Sequence, residues 1–80
     1  MNWIEEVNVI KNRLLKSELT SSYQEILNAQ LVLGTPGEMY SEIMNILLKW
    51  KKQNNEEYIS NRNEIEQLIN YGYSIGYINS

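Results

Sequence analysis

The sequence predicts an all-α fold: a compact, irregular four-helix bundle with short loops and a Gly/Tyr-rich C-terminal tail. Three observations carry that prediction. Apolar residues recur at three- and four-residue spacing through most of the chain, the signature of one buried helical face. Capping patterns stand in front of the periodic stretches. The breaks between stretches are short, which makes successive helices antiparallel neighbours. Eighty residues make one domain, spanning 1–80.

The first helix starts with Asn2 as N-cap and Glu5 three residues on, so that side chains satisfy otherwise orphaned backbone N–H groups. Trp3, Val7, Ile10 and Leu14 then follow along one face. Glu5 and Glu6 sit at its positive end, and Lys11, Arg13 and Lys16 toward its negative end, matching the helix dipole. Leu19-Thr20-Ser21-Ser22 interrupts it. The pattern Ser22-x-x-Glu25 opens a second, shorter helix with Ile26, Leu27, Gln30 and Leu31 on its inner face. Leu19 covers its first turn, and Gly34 closes it in the left-handed conformation that suits a helix end.

Thr35-Pro36-Gly37-Glu38 is the clearest start signal in the chain. Thr35 caps, Pro36 has the φ angle preset for the first helical position, and Glu38 completes the capping box. Met39, Tyr40, Ile43, Met44, Ile46, Leu47 and Trp50 form a broad apolar face, which makes the third helix the most buried. Asn54 and Asn55 break the pattern, and Asn54-x-x-Glu57 restarts it. Tyr58, Arg62, Ile65, Leu68 and Ile69 carry the fourth helix to Gly72, with Arg62 extended along the core edge.

The tail fits two periods at once. Tyr71, Tyr73, Ile75 and Tyr77 alternate like a strand, while Leu68, Tyr71, Ile75 and Ile78 keep helical spacing. Half of the six tyrosines fall in this stretch, and aromatic side chains there suit a contact surface. Tyr71 can still be core; Tyr73 and Tyr77 have no packing role that the periodicity supplies.

The composition removes most chemistry. There is no His, no Cys and, all ten acids being Glu, no Asp. The usual general base, the thiolate nucleophile and the commonest transition-metal ligands are therefore missing, so no enzyme, metal or cofactor is expected. Gly34-Thr35-Pro36-Gly37 lacks the spacing and the lysine of a phosphate loop. A net charge of −3 disfavours nucleic acid. Lys49-Trp50-Lys51-Lys52 is read as core plus dipole: Trp50 continues the buried stripe, and the lysines occupy the last helical turn. No segment approaches the roughly 20 apolar residues of a membrane span, and no secretory signal opens the chain, so the expected compartment is the cytoplasm.

What remains is recognition of another protein. Glu38 and Glu42 open the third helix, and Glu66 lies along the fourth; antiparallel packing is expected to bring these acids toward Tyr71, Tyr73 and Tyr77. A surface of tyrosines and carboxylates suits a basic partner, the rings anchoring and the charges steering. The plan of the chain resembles that of small acidic helical bacterial immunity proteins. The stretches that carry the likeness are Gly34-Thr35-Pro36-Gly37-Glu38-Met39 and Tyr71-Gly72-Tyr73-Ser74-Ile75-Gly76. The resemblance implies a protein that neutralises a toxin by covering its working surface, with no individual residue role carried over. The alternative is a structural or adaptor module that forms a homodimer through its C-terminal region, because small cores gain from oligomerisation.

Overall fold

The computed structural model describes residues 2–31 and 34–76. Among them every regular element is an α-helix: α1 (Trp3–Lys16), α2 (Thr20–Gln30), α3 (Pro36–Gln53), α4 (Glu56–Ser60) and α5 (Arg62–Ile75). The four long helices close a ring in which α1 and α3 each pack between α2 and α5, and α4 sits against α3 and α5. The inner faces of all five form one core, whose largest fully buried side chains include Trp50 and Tyr40. Each such side chain contributes roughly 1.5–3 kcal/mol by leaving water.

α1 and α3 begin where their caps predict. The Asn2 side-chain oxygen accepts from the Glu5 N–H at 3.3 Å, and the Thr35 hydroxyl oxygen accepts from the Glu38 N–H at 3.2 Å. The expected α1 face is buried at Val7, Ile10 and Leu14, with Trp3 packed at its edge. α3 is the longest helix and buries Tyr40, Ile43, Met44, Leu47 and Trp50.

The other boundaries differ from the expectation. α2 starts at Thr20, behind Leu19, with no side-chain cap. Ser22 does not cap it; its hydroxyl donates to the Glu57 carboxylate at 2.6 Å, tying α2 to α4. The second helix ends at Gln30 with Leu31, not Gly34, as its C-cap; left-handed residues among those described are Glu18, Asn54 and Gly76. Leu31, expected on the inner face, is 67% exposed, and the buried partner of Ile26 is Ala29.

The single fourth helix is two. Asn54 is the left-handed terminator of α3 (φ 49°), and Asn55 rather than Asn54 caps α4 by accepting from the Tyr58 N–H. The break between α4 and α5 falls at Asn61, which is 1% exposed. Its side-chain N–H donates to the Glu57 carbonyl at 3.0 Å. That carbonyl would otherwise accept the Asn61 backbone N–H, which bonds instead to the Tyr58 carbonyl. Arg62 is exposed and lies at the core edge, with its guanidinium 5.4 Å from the centre of the ring of Tyr58, a core residue.

The helical period wins in the C-terminal stretch. α5 runs through the buried Gly72 to Ile75 and stops at Gly76, whose φ of 81° is open to glycine without strain. Tyr77 lies outside the described residues.

Candidate functional site

Helix order places three termini at one end of the molecule: the start of α1, the start of α3 and the finish of α5. An aromatic ladder joins them. Trp3 meets Tyr40 edge-on at 5.1 Å between ring centres, and Tyr40 meets Tyr71 at 5.9 Å. The Tyr40 hydroxyl donates to the Leu68 carbonyl at 2.5 Å. Burial pushes the Tyr40 pKa up to about 12; Tyr71 adds to the rise, and a hydrogen bond from the Gly72 backbone opposes it. Tyr71 is therefore mainly a packing residue, half-buried against the core. Tyr73, one residue past the buried Gly72, is 46% exposed, and Ile75 is 41% exposed.

Charge is distributed unevenly along the helix axes. α1 carries no cation before Lys11, α3 none before Lys49, α5 none after Arg62, and α2 and α4 none at all. The aromatic end thus presents Glu5, Glu6, Glu38 and Glu42 with no Lys or Arg beside them in their own helical segments. None of the four has an ion-pair partner among the described residues. The helix dipoles at the starts of α1 and α3 favour these acids locally, and their outward field is not neutralised by a side chain.

Among the described residues no hydrogen bond joins Glu38, Glu42 or Glu66 to Tyr71. Glu66 belongs to the opposite half of α5, where it accepts from Lys51 at 3.1 Å and from the Tyr58 hydroxyl at 2.8 Å. Burial pushes its pKa up, but the Tyr58 and Lys51 hydrogen bonds together hold it below the ordinary carboxylate value. Glu38 lies at the α3 start with its carboxylate against Gly34. Glu42 turns toward α2, where it lines a groove of about 260 Å³ with Glu25, Asn28, Ala29 and Ile46. Sequence reasoning missed Glu25 and Ala29 as surface partners of Glu42, since only the pairing of α2 with α3 brings them together.

The lysine cluster is largely spoken for. Lys49 bridges to Glu25 at 2.6 Å, Lys51 to Glu66, and Trp50 is 2% exposed. Two larger hollows lie elsewhere, one of about 520 Å³ by Arg13, Ser60, Arg62 and Glu64 and one of about 460 Å³ by Gln67, Asn70, Tyr71 and Ser74. No group of three or more His, Cys, Asp or Glu suited to a metal gathers among the described residues. No described helix is long and apolar enough to cross a membrane. No protein-family model, curated protein or solved structure matches the chain.

Proposed function

We propose that this is a non-enzymatic binding protein that engages a basic protein partner with its acidic and aromatic end. The most concrete form of that reading is a toxin-neutralising immunity or antitoxin-type inhibitor acting in the cytoplasm. The observation that carries it is the uncompensated charge of Glu5, Glu6, Glu38 and Glu42, none of which has an ion-pair partner among the described residues, in a chain that also exposes Tyr73 and Ile75. Unpaired carboxylates steer encounter, and flanking aromatic and aliphatic groups supply contact area. The resemblance in overall plan to small helical immunity proteins points the same way. Glu66 drops from the contact set because its carboxylate is already engaged.

The test is association with a basic protein co-purified with this chain from its native cell, followed in real time at two salt concentrations. Glu38→Lys combined with Glu5→Lys is expected to slow association about tenfold at low salt and to change dissociation little. Binding that is indifferent to both salt and charge reversal would remove the reading. Exposure of Tyr73 and Ile75 also favours the alternative, self-association through the end of α5. In that case Tyr73→Ser with Ile75→Asn converts a dimer to a monomer in sedimentation. A native chain that stays monomeric at high concentration disposes of that alternative.

A further inference from the structure

The groove between α2 and α3 offers a more specific contact than the acidic end as a whole. Its floor is Ala29 and Ile46, and its rim carries the carboxylates of Glu25 and Glu42 with the Asn28 amide. Ala29, one turn beyond Glu25, brings only a methyl group to the groove from α2. At about 260 Å³ the groove falls just below the roughly 300–1,000 Å³ of small-molecule sites. Its size suits one side chain.

We infer that this groove receives a single arginine or lysine side chain from the basic partner, a deepening that rests on the function proposed above. The occupant follows from charge complementarity. An aliphatic stem covers Ala29 and Ile46, while the cationic head reaches Glu42, which has no ion-pair partner among the described residues. Glu25 contributes its second oxygen, because Lys49 is bound to Oε2. The Lys49 ammonium holds Glu25 through Oε2, so the carboxylate is oriented before the partner arrives. Glu38 precedes Glu42 by one turn on the same face of α3 and extends the acidic path toward the molecule's end.

The probe is a hexa-arginine peptide, titrated into the whole protein at low salt and followed through the Ala29 and Ile46 methyl resonances. A citrulline-substituted peptide, which keeps the shape and lacks the charge, serves as control. Both methyl signals are expected to shift with the arginine peptide only. Glu42→Gln is expected to weaken binding about three- to fivefold, the scale of one partly exposed ion pair. Ala29→Val, which fills the floor and keeps every charge, is expected to abolish the Ile46 shift. Because a replacement at Ala29 can disturb packing, Glu42→Gln, at an exposed position, provides the independent measure. If the peptide binds and Tyr73 responds while Ala29, Ile46 and the Glu42→Gln affinity do not, the groove is overturned and the acidic-end reading stands. If the peptide does not bind at low salt, both fall.

Discussion

Tyr40 donates its hydroxyl to the Leu68 carbonyl while its ring meets Trp3 on one side and Tyr71 on the other, so one side chain links α1, α3 and α5. The Leu68 carbonyl already lies within α5, where the helix supplies its own N–H donor. Removing the hydroxyl therefore strands no buried acceptor. Tyr40→Phe is expected to cost about 1–2 kcal/mol in urea denaturation, the net worth of the hydroxyl's bonds to the Leu68 carbonyl and the Gly72 backbone. It should also delete the last phenol to ionise in an ultraviolet titration, the one near pH 12. Backbone strain gives a second residue-scale test. Glu18 holds φ at 60° with its N–H on the Leu15 carbonyl and the Leu19 N–H on the Leu14 carbonyl, a helix-ending motif that usually employs glycine. Glu18→Gly is expected to raise stability by about 1 kcal/mol, and Gly76→Ala, at φ 81°, to lower it by a similar amount. Gly34→Ala meets only the end of the flexible Glu38 side chain, 2.5 Å from the added carbon, and should be nearly neutral. Thermal melts of the three variants check the order.

At the scale of elements, the α4–α5 break makes an unusual demand of Asn61. Its side-chain N–H bonds to the Glu57 carbonyl, yet its Oδ1 is buried without a partner among the described residues. Asn61→Ala loses about 1 kcal/mol of hydrogen bonding but also removes a stranded acceptor that costs about 1–3 kcal/mol. Stability in urea is expected to stay within about 1 kcal/mol of the parent, unlike the roughly 2–5 kcal/mol of large-to-small truncations at buried aliphatic positions. The same residue shows why parts of the fold were illegible in sequence. α1 and α3 could be read because cap, dipole and apolar period agree at Asn2 and Thr35. Asn61 falls at helical spacing within an unbroken pattern, and only its own back-bond to Glu57 ends the helix. Ser22 matched a capping box, but Glu57, 35 residues away, took its hydroxyl. Gly72 was read as the end of the helix, but it is buried inside α5, which runs on to Gly76. The site divides likewise: Glu38, Glu42 and Tyr73 could be picked out from position, whereas the diversion of Glu66 to Lys51 and Tyr58 and the meeting of Glu42 with Glu25 and Ala29 depend on helix pairing.

For the molecule as a whole, the absence of His leaves no side chain with an ordinary pKa between the carboxylates and the phenols. Stability is therefore bounded by two separate limbs. On the acid side, the folded Glu66 pKa lies below its ordinary 4.5, so the folded protein holds fewer protons there than the unfolded chain. The stability this contributes is present above pH 4.5 and is lost as pH falls through the folded value. On the alkaline side the sign reverses. Tyr40 is raised by burial, Lys51 by its hydrogen bond to Glu66, and Tyr58 by its own bond to the same carboxylate. Their contributions are complete below the ordinary values of 10.0 for the tyrosines and 10.5 for the lysine, and are lost as pH rises through the raised ones. The melting temperature followed by circular dichroism is expected to be flat between about pH 6 and about pH 9, apart from the small effect of the terminal amine, and to fall on both sides. Glu66→Gln should be less stable than the parent at pH 7 and converge with it in acid, once pH has fallen below the lowered Glu66 pKa and the parent's carboxylate is protonated. A gap between the two that persists undiminished into acid would mean that packing of Glu66, not its charge, holds α3, α4 and α5 together.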